Sequence, residues 1–208
     1  CIYVCAIIKQ MNKLNTMRKT NLIKRSSVLF MAALMVLITV SCSDDDEDDD
    51  YELGNWVESS TFDGNSRANS VSFTIGTKGY LVTGYDGDDY LADTWEYNSD
   101  DDYWVQKAVF PGVGRSGAVG FSINGKGYVG TGYDGSNRLK DFWEYDPTTD
   151  VWTQKADFAG TGRYGAIGFA IGNDGYIGTG YDGSEQKDFW KYNVANDSWE
   201  QSVGFGGE

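Results

Sequence analysis

Gly127-Tyr128-Val129-Gly130-Thr131-Gly132-Tyr133-Asp134-Gly135 occurs three times in this chain. The earlier copy is Gly79-Tyr80-Leu81-Val82-Thr83-Gly84-Tyr85-Asp86-Gly87 and the later is Gly175-Tyr176-Ile177-Gly178-Thr179-Gly180-Tyr181-Asp182-Gly183, each starting 48 residues after the last. A fixed period of this length marks a repeat architecture and decides the fold before any local reading.

The register extends outward from the nonapeptide. Trp56, Trp104, Trp152 and Trp199 recur at 48, 48 and 47, and Phe62, Phe110, Phe158 and Phe205 each follow by six residues. Arg67, Arg115 and Arg163 keep the period, as do Phe73, Phe121 and Phe169, and a second tryptophan recurs at Trp95, Trp143 and Trp190. The one-residue deletion falls between Gly183 and Trp190, where a loop absorbs it.

Each unit reads as four short strands. In the middle one, Gly117 to Ile123 is small and apolar and suits a crowded inner strand. Asn124-Gly125-Lys126-Gly127 is a tight turn. Tyr128 to Tyr133 is the second strand, its Gly130 and Gly132 tolerable where another backbone comes close. Asp134 to Leu139 is a loop, and Asp141 to Tyr145 a third strand with Trp143 and Tyr145 on one face and Phe142 on the other. Asp146 to Asp150 is a turn and Val151 to Lys155 the outer strand. No segment carries a helical period. Four-stranded units at this spacing with recurring glycines and aromatics predict an all-β fold of propeller blades.

The order of a small-apolar strand, Gly-Tyr-(Val/Ile), paired glycines and then Tyr145-Asp146-Pro147-Thr148-Thr149-Asp150-Val151-Trp152 resembles a kelch repeat, the unit of galactose-oxidase-like β-propellers. The resemblance covers residues 55–208 and departs at the kelch double glycine, here Gly130-Thr131-Gly132. It implies about three kelch-like blades with partial flanking strands. A propeller closes with at least four blades. Three leave open blade edges, which predicts a truncated product, an open arc or self-association through those edges.

The rest of the chain has other work. Residues 1–42 hold six basic residues and no acid; residues 43–208 set eleven basic residues against all 31 acids, a net −20. That body repels nucleic acid and anionic lipid surfaces. The chain has no histidine, so Ser-His-Asp and Cys-His nucleophile systems and His-containing metal sites are excluded. Residues 1–16 read as upstream or non-structural sequence and 17–41 as a signal peptide. In the latter, Arg18, Lys19, Lys24 and Arg25 precede the 13-residue apolar run Val28 to Val40, which at helical rise reaches roughly 20 Å, short of a bilayer core. Thr39-Val40-Ser41-Cys42 resembles a bacterial lipobox. That resemblance implies lipidation of Cys42 and a membrane partner through the lipid anchor. Residues 42–54, with the run Asp44-Asp45-Asp46-Glu47-Asp48-Asp49-Asp50, read as an acidic tether. The run also resembles an acidic surface-export signal. It implies an outer-membrane lipoprotein exposed at the cell surface, the alternative being one facing the periplasm.

Meander geometry places the Tyr-Asp-Gly loops on one face with the arginines. The candidate binding face is therefore Arg67, Arg115, Arg163, Tyr85, Asp86, Tyr133, Asp134, Tyr181 and Asp182, beside the variable stretches Asp88-Asp89-Tyr90, Ser136-Asn137-Arg138 and Ser184-Glu185-Gln186. Repetition in every unit also fits a building role: arginines tying blades through carbonyls or aspartates, and Trp104, Trp152 and Trp199 filling core between blades. The expected function is a non-enzymatic binding or scaffold module for carbohydrate or protein, without cofactor or metal. A kelch-type copper-radical oxidase is excluded for want of histidine ligands. The alternatives are a fragment of an epimerase-like propeller enzyme and a truncated product with no independent function.

Overall fold

The computed structural model describes residues 57–204 and 206; the leader, Cys42 and the tether lie outside them. Within those residues all regular structure is strand. Blade 1 comprises β1 (Val71–Ile75), β2 (Lys78–Val82), β3 (Thr94–Asn98) and β4 (Tyr103–Lys107). Blade 2 comprises β5 (Val119–Ile123), β6 (Lys126–Gly130), β7 (Phe142–Asp146) and β8 (Val151–Lys155). Blade 3 comprises β9 (Ile167–Ile171), β10 (Asp174–Gly178), β11 (Phe189–Asn193) and β12 (Ser198–Ser202). Each blade is a four-stranded antiparallel meander in chain order, and the inner strands β1, β5 and β9 face one another across the seams.

The outer strand of the middle unit falls where the sequence puts it, and the others shift by a few residues for identifiable reasons. Asn124 (φ 53°) and Gly125 (φ 76°) are both left-handed, so the turn is a two-residue hairpin that pairs Ile123 with Lys126. The second strand therefore starts at Lys126, not Tyr128. It stops at Gly130, not Tyr133, because Thr131 (φ 59°) and Gly132 (φ 105°) leave the extended region. Gly117 (φ 60°) likewise holds the first strand back to Val119. Phe142 and Tyr145 lie on opposite faces of the sheet, yet both are fully buried, because the middle blade has a neighbour on each side.

The core consists of the two seams. Val71, Phe73, Tyr80, Val82 and Phe110 of the first blade and its connector pack with Val129 and Tyr145. Val119, Phe121, Ile123, Tyr128, Phe142 and Phe158 pack with Ile177 and Tyr192. The packing rule is simple: an inner-strand phenylalanine enters the space left by a glycine on the next blade. A Cβ at Gly127 would lie 2.2 Å from the Phe73 ring, and one at Gly175 would lie 2.5 Å from the Phe121 ring. The glycines of the second strands thus let a neighbouring blade approach.

Connectors between blades are clamped by the blade they enter. Asp150 accepts from the Ala108 N–H at 3.0 Å and the Tyr145 hydroxyl at 2.7 Å, while Trp152 Nε1 donates to the Ala108 carbonyl at 3.2 Å. Asp197, Tyr192 and Trp199 do the same to Ala156. The outer tryptophans Trp152 and Trp199 are half-buried and packed against the seam clusters: Trp152 lies 5.1 Å from Phe110, and Trp199 lies 5.0 Å from Phe142 and 5.2 Å from Phe158.

Candidate functional site

The expected binding face separates into a buried layer and an exposed one. The buried layer holds the arginines. Arg115 and Arg163 are completely inaccessible to solvent. Arg115 Nη1 and Nη2 donate to the two carboxylate oxygens of Asp141 at 2.6 and 2.7 Å. Nη1 also reaches the Thr131 carbonyl and Nε the Val113 carbonyl, both at 2.9 Å. The guanidinium lies 4.9 Å over the Phe110 ring. Arg67 grips Asp93 and the Thr83 carbonyl in the same way, and Arg163 grips Asp188 and the Thr179 carbonyl.

The main chain of Arg115 joins the neighbouring blade. Its N–H donates to Leu91 O at 3.2 Å, and its carbonyl accepts from Gly84 N–H at 2.8 Å. Arg163 repeats both bonds with Leu139 and Gly132. Arg115 and Arg163 are therefore rivets: backbone on one blade, side chain in the next. Bidentate geometry is what arginine supplies and lysine does not.

The departure from the kelch double glycine falls where the main chain serves the arginines, and no side-chain contact in the structure explains the threonine. Thr83, Thr131 and Thr179 have φ of 62°, 59° and 59°, strained for a β-branched residue. That conformation turns each carbonyl onto its arginine. Burial alone would raise the carboxyls of Asp93, Asp141 and Asp188, but hydrogen bonds from the arginines and from Trp95, Trp143 and Trp190 outweigh it and hold them below the usual range. These three aspartates also follow the repeat, two residues before each inner tryptophan. Register alone could have singled them out.

The exposed layer holds the loops. Asp134 caps its own loop, accepting from the N–H groups of Ser136 at 2.8 Å and Asn137 at 2.6 Å. Asp86 accepts from the N–H groups of Asp88 and Asp89, and Asp182 from Ser184 N–H and the side chains of Thr161 and Gln186. Hydrogen bonding from backbone N–H groups in the first two and from the Thr161 hydroxyl in the third holds these carboxyls below their ordinary range. They are ionised acceptors engaged in turn formation.

Tyr85, Tyr133 and Tyr181, one on each blade, are joined into a continuous row by two tyrosines that have no counterpart in the other blades. Tyr90 lies 4.8 Å from Tyr85 and 6.1 Å from Tyr133. Tyr164 lies 5.6 Å from both Tyr133 and Tyr181, and Arg138 sits 5.2 Å over the Tyr181 ring. The row runs across all three blades and is partly exposed along its length, Tyr164 most of all. Shallow clefts lie at its ends. One of about 480 Å³ involves Tyr164, Tyr181, Glu185 and Gln186; the other, of about 340 Å³, involves Arg67, Tyr85 and Asp86. Tyr90 and Arg138 fall in stretches the sequence marks as variable. Tyr164 replaces Ala68 and Ser116 of the other units and gives no periodic signal. Among the described residues no His, Cys, Asp or Glu cluster is arranged to hold a metal ion.

Comparison with known proteins agrees with this geometry. Residues 114–158, which span the Arg115 rivet and the middle blade, match the model of the Kelch motif. No curated protein matches the chain. The solved structure of YjhT superposes with a TM-score of 0.65 at 18% identity, over 74% of this chain and 56% of that one. The chain spans just over half the length of the structure it matches. Residues 57–204 are thus three blades of kelch-propeller type, the middle one carrying the kelch motif itself.

Proposed function

We propose that this chain is a surface-anchored binding module that presents the tyrosine row to a carbohydrate or protein ligand and performs no chemistry on it. The observation that carries the proposal is the row itself. Tyr90 and Tyr164 break the repeat only to close the gaps between Tyr85, Tyr133 and Tyr181. A blade-building role would recur in each blade; theirs does not. Tyrosine gives a rigid apolar ring with a polar tip, which suits sugar faces and protein hot spots alike. A non-catalytic role is supported by the loop carboxylates, which are held in the ionised form by their own turns and so lack the raised pKa a general acid needs at neutral pH. Presentation outside the cell rests on the lipobox-like Cys42 and the acidic run behind it.

The test is a glycan and cell-surface protein array probed with the chain and with the Tyr90→Ala/Tyr164→Ala variant, followed by mass spectrometry of bound glycans. Loss of binding by at least tenfold in the variant, with the ligand recovered unchanged, is expected. Unaltered binding would move the site off this face, and a released or isomerised product would make the chain an enzyme. Replacing Cys42 with Ser should release the protein from the membrane fraction, and protease added to intact cells should remove it if it faces outward.

A further inference from the structure

The tyrosine row carries rings and charges, and the seam between blades 1 and 2 brings the two together. In blades 1 and 2 the same repeat position reaches toward the repeated tyrosine of the next blade. In blade 1 it is Tyr90, 6.1 Å from Tyr133 at an interplanar angle of 84°. In blade 2 it is Arg138, 48 residues on, whose guanidinium lies 5.2 Å over the Tyr181 ring. The chain thus displays, at its second seam, the contact that a row tyrosine makes with a cation. At the first seam a ring stands where that guanidinium would be. Tyr85, Tyr90 and Tyr133 form a half-buried aromatic strip there.

The hydroxyls differ along the strip. Tyr85 and Tyr133 donate to the Gly87 and Gly135 carbonyls at 2.5 and 2.7 Å, which pins both to their own loops. The Tyr90 ring leans on Gly135, where a Cβ would lie 2.7 Å from it, and its hydroxyl has no partner among the described residues. Burial first, and then Tyr133, Tyr85 and the Asp134 carboxylate, push the pKa of that hydroxyl up, so it stays a donor at neutral pH. The charge around the strip has one sign. Segments 86–90, 134–138 and 182–186 hold six acids and one base, Arg138, and that base is already seated over Tyr181. Asp86, Asp134 and Asp182 are engaged in their own turns. Asp88 and Asp89, which precede Tyr90, are exposed, and their carboxylates have no hydrogen-bond or ion-pair partner among the described residues.

We infer that the ligand of the row is a positively charged, extended protein segment, and that an arginine of that segment lies across Tyr90 with Asp88 and Asp89 as its counter-ions. The inference rests on the reading of the row as the binding face. A guanidinium stacks on an aromatic ring while its N–H groups point outward in its own plane to meet carboxylates. One arginine therefore uses both features of this seam, and a lysine uses them less well. An acidic peptide or an anionic glycan would meet like charge along the row, and a neutral glycan would leave Asp88 and Asp89 unused. Residues 43–208, with eleven bases and 31 acids, favour the same partner at long range, since their field draws basic segments in before contact. The row crosses from blade to blade in one line, which suits an extended chain.

Fluorescence anisotropy with the full chain in detergent micelles tests this. The probes are labelled Arg-Gly-Ser, Lys-Gly-Ser and Glu-Gly-Ser repeat peptides of equal length and a labelled cello-oligosaccharide. The arginine peptide should bind more tightly than the lysine peptide, and the glutamate peptide and the sugar should not bind. Asp88→Asn/Asp89→Asn should weaken the arginine peptide by roughly tenfold, the worth of two exposed ion pairs, and Tyr90→Ala by roughly three- to tenfold. Asp100→Asn/Asp101→Asn removes the same charge from the turn between β3 and β4, on the opposite face, and should change binding by less than about twofold. Tryptophan emission checks that each variant keeps its blades. Equal loss from the two aspartate variants would reduce the effect to general charge attraction and overturn the inference, as would failure of the arginine peptide to bind or a tighter hold on the glutamate peptide. Sugar binding that is lost in Tyr90→Ala/Tyr164→Ala and kept in Asp88→Asn/Asp89→Asn would overturn the cationic ligand while upholding the row. Arginine-peptide binding indifferent to both tyrosine variants would overturn the row as well.

Discussion

The middle and third blades carry nearly the same inner strand in opposite surroundings. Val119, Phe121 and Ile123 are 4%, 5% and 2% exposed; Ile167, Phe169 and Ile171 are 50%, 38% and 62% exposed. Residue type, strand position and register are shared. The difference is one neighbour. In a repeat protein the hydrophobic pattern of a unit describes the face it offers, and burial is decided by whether the next unit takes it.

Acid should produce the largest effect, and it should not distinguish the blades, because all three share the arginine–aspartate pair. Asp93, Asp141 and Asp188 have folded pKa values held below their ordinary value. Their contribution is therefore complete above the unfolded carboxylate pKa of about 4 and is lost as pH falls through the folded values. With no histidine in the chain, no side chain of ordinary pKa titrates between about pH 5 and 8. The urea midpoint should be flat over that range and then fall in a single step below it. A midpoint already declining from pH 7 to 5 would contradict the assignment.

The paired phenylalanines measure the neighbour directly. Phe121→Ala empties the Gly175 seam and should cost about 3–5 kcal/mol. Phe169→Ala removes only contacts within its own blade, to Tyr176 and Phe189, and should cost about 1 kcal/mol in dilute protein. Equal losses in urea titrations would mean that the third blade is covered after all. The glycines give the same contrast from the other side. Gly127→Ala drives a methyl into the Phe73 ring and should cost about 1–3 kcal/mol. Gly79→Ala would meet only the Tyr97 side chain, at an ordinary 3.7 Å, and should stabilise by about 0.5–1 kcal/mol through the unfolded chain.

Much of this was legible beforehand, because periodicity reports positions that every blade needs. The strands, the seam phenylalanines and the open edges all follow from the 48-residue register. The limits of the second strand did not, since Thr131 adopts a left-handed conformation that threonine ordinarily avoids. The arginines were visible as repeats, but not their depth: the same residue type suits an exposed binding face or a buried bidentate pair, and only the distance to Asp141 decides. Tyr164 was invisible for the opposite reason. Its significance lies in joining Tyr133 to Tyr181, and a residue that occurs once leaves no mark on a repeat.

The smallest effect concerns a place where the third blade departs from the others and compensates. Lys126 pairs with Glu144 at 2.9 Å, as Lys78 pairs with Glu96 in blade 1. At the same register positions blade 3 has Asp174 and Lys191, 3.2 Å apart. The pair is reversed and the attraction kept, so the interaction between the second and third strands is indifferent to its polarity. The reversal has two costs in the middle blade, where Glu144 also accepts from the Tyr128 hydroxyl at 2.6 Å and Lys126 also lies 3.4 Å from Asp146. Glu144→Lys alone should set two ammonium groups together and orphan that hydroxyl. Adding Lys126→Asp should restore roughly 0.5–1 kcal/mol, the worth of a partly exposed pair, and leave the hydroxyl's share unrecovered. The same exchange in blade 3, Asp174→Lys with Lys191→Glu, should be mildly destabilising, since Lys191 also pairs with Glu200 at 3.3 Å and a glutamate there would face a second carboxylate across the strands. A double-mutant cycle in 50 mM and 500 mM salt checks both. Simple additivity in the middle blade would show that the charges there are neighbours without being coupled.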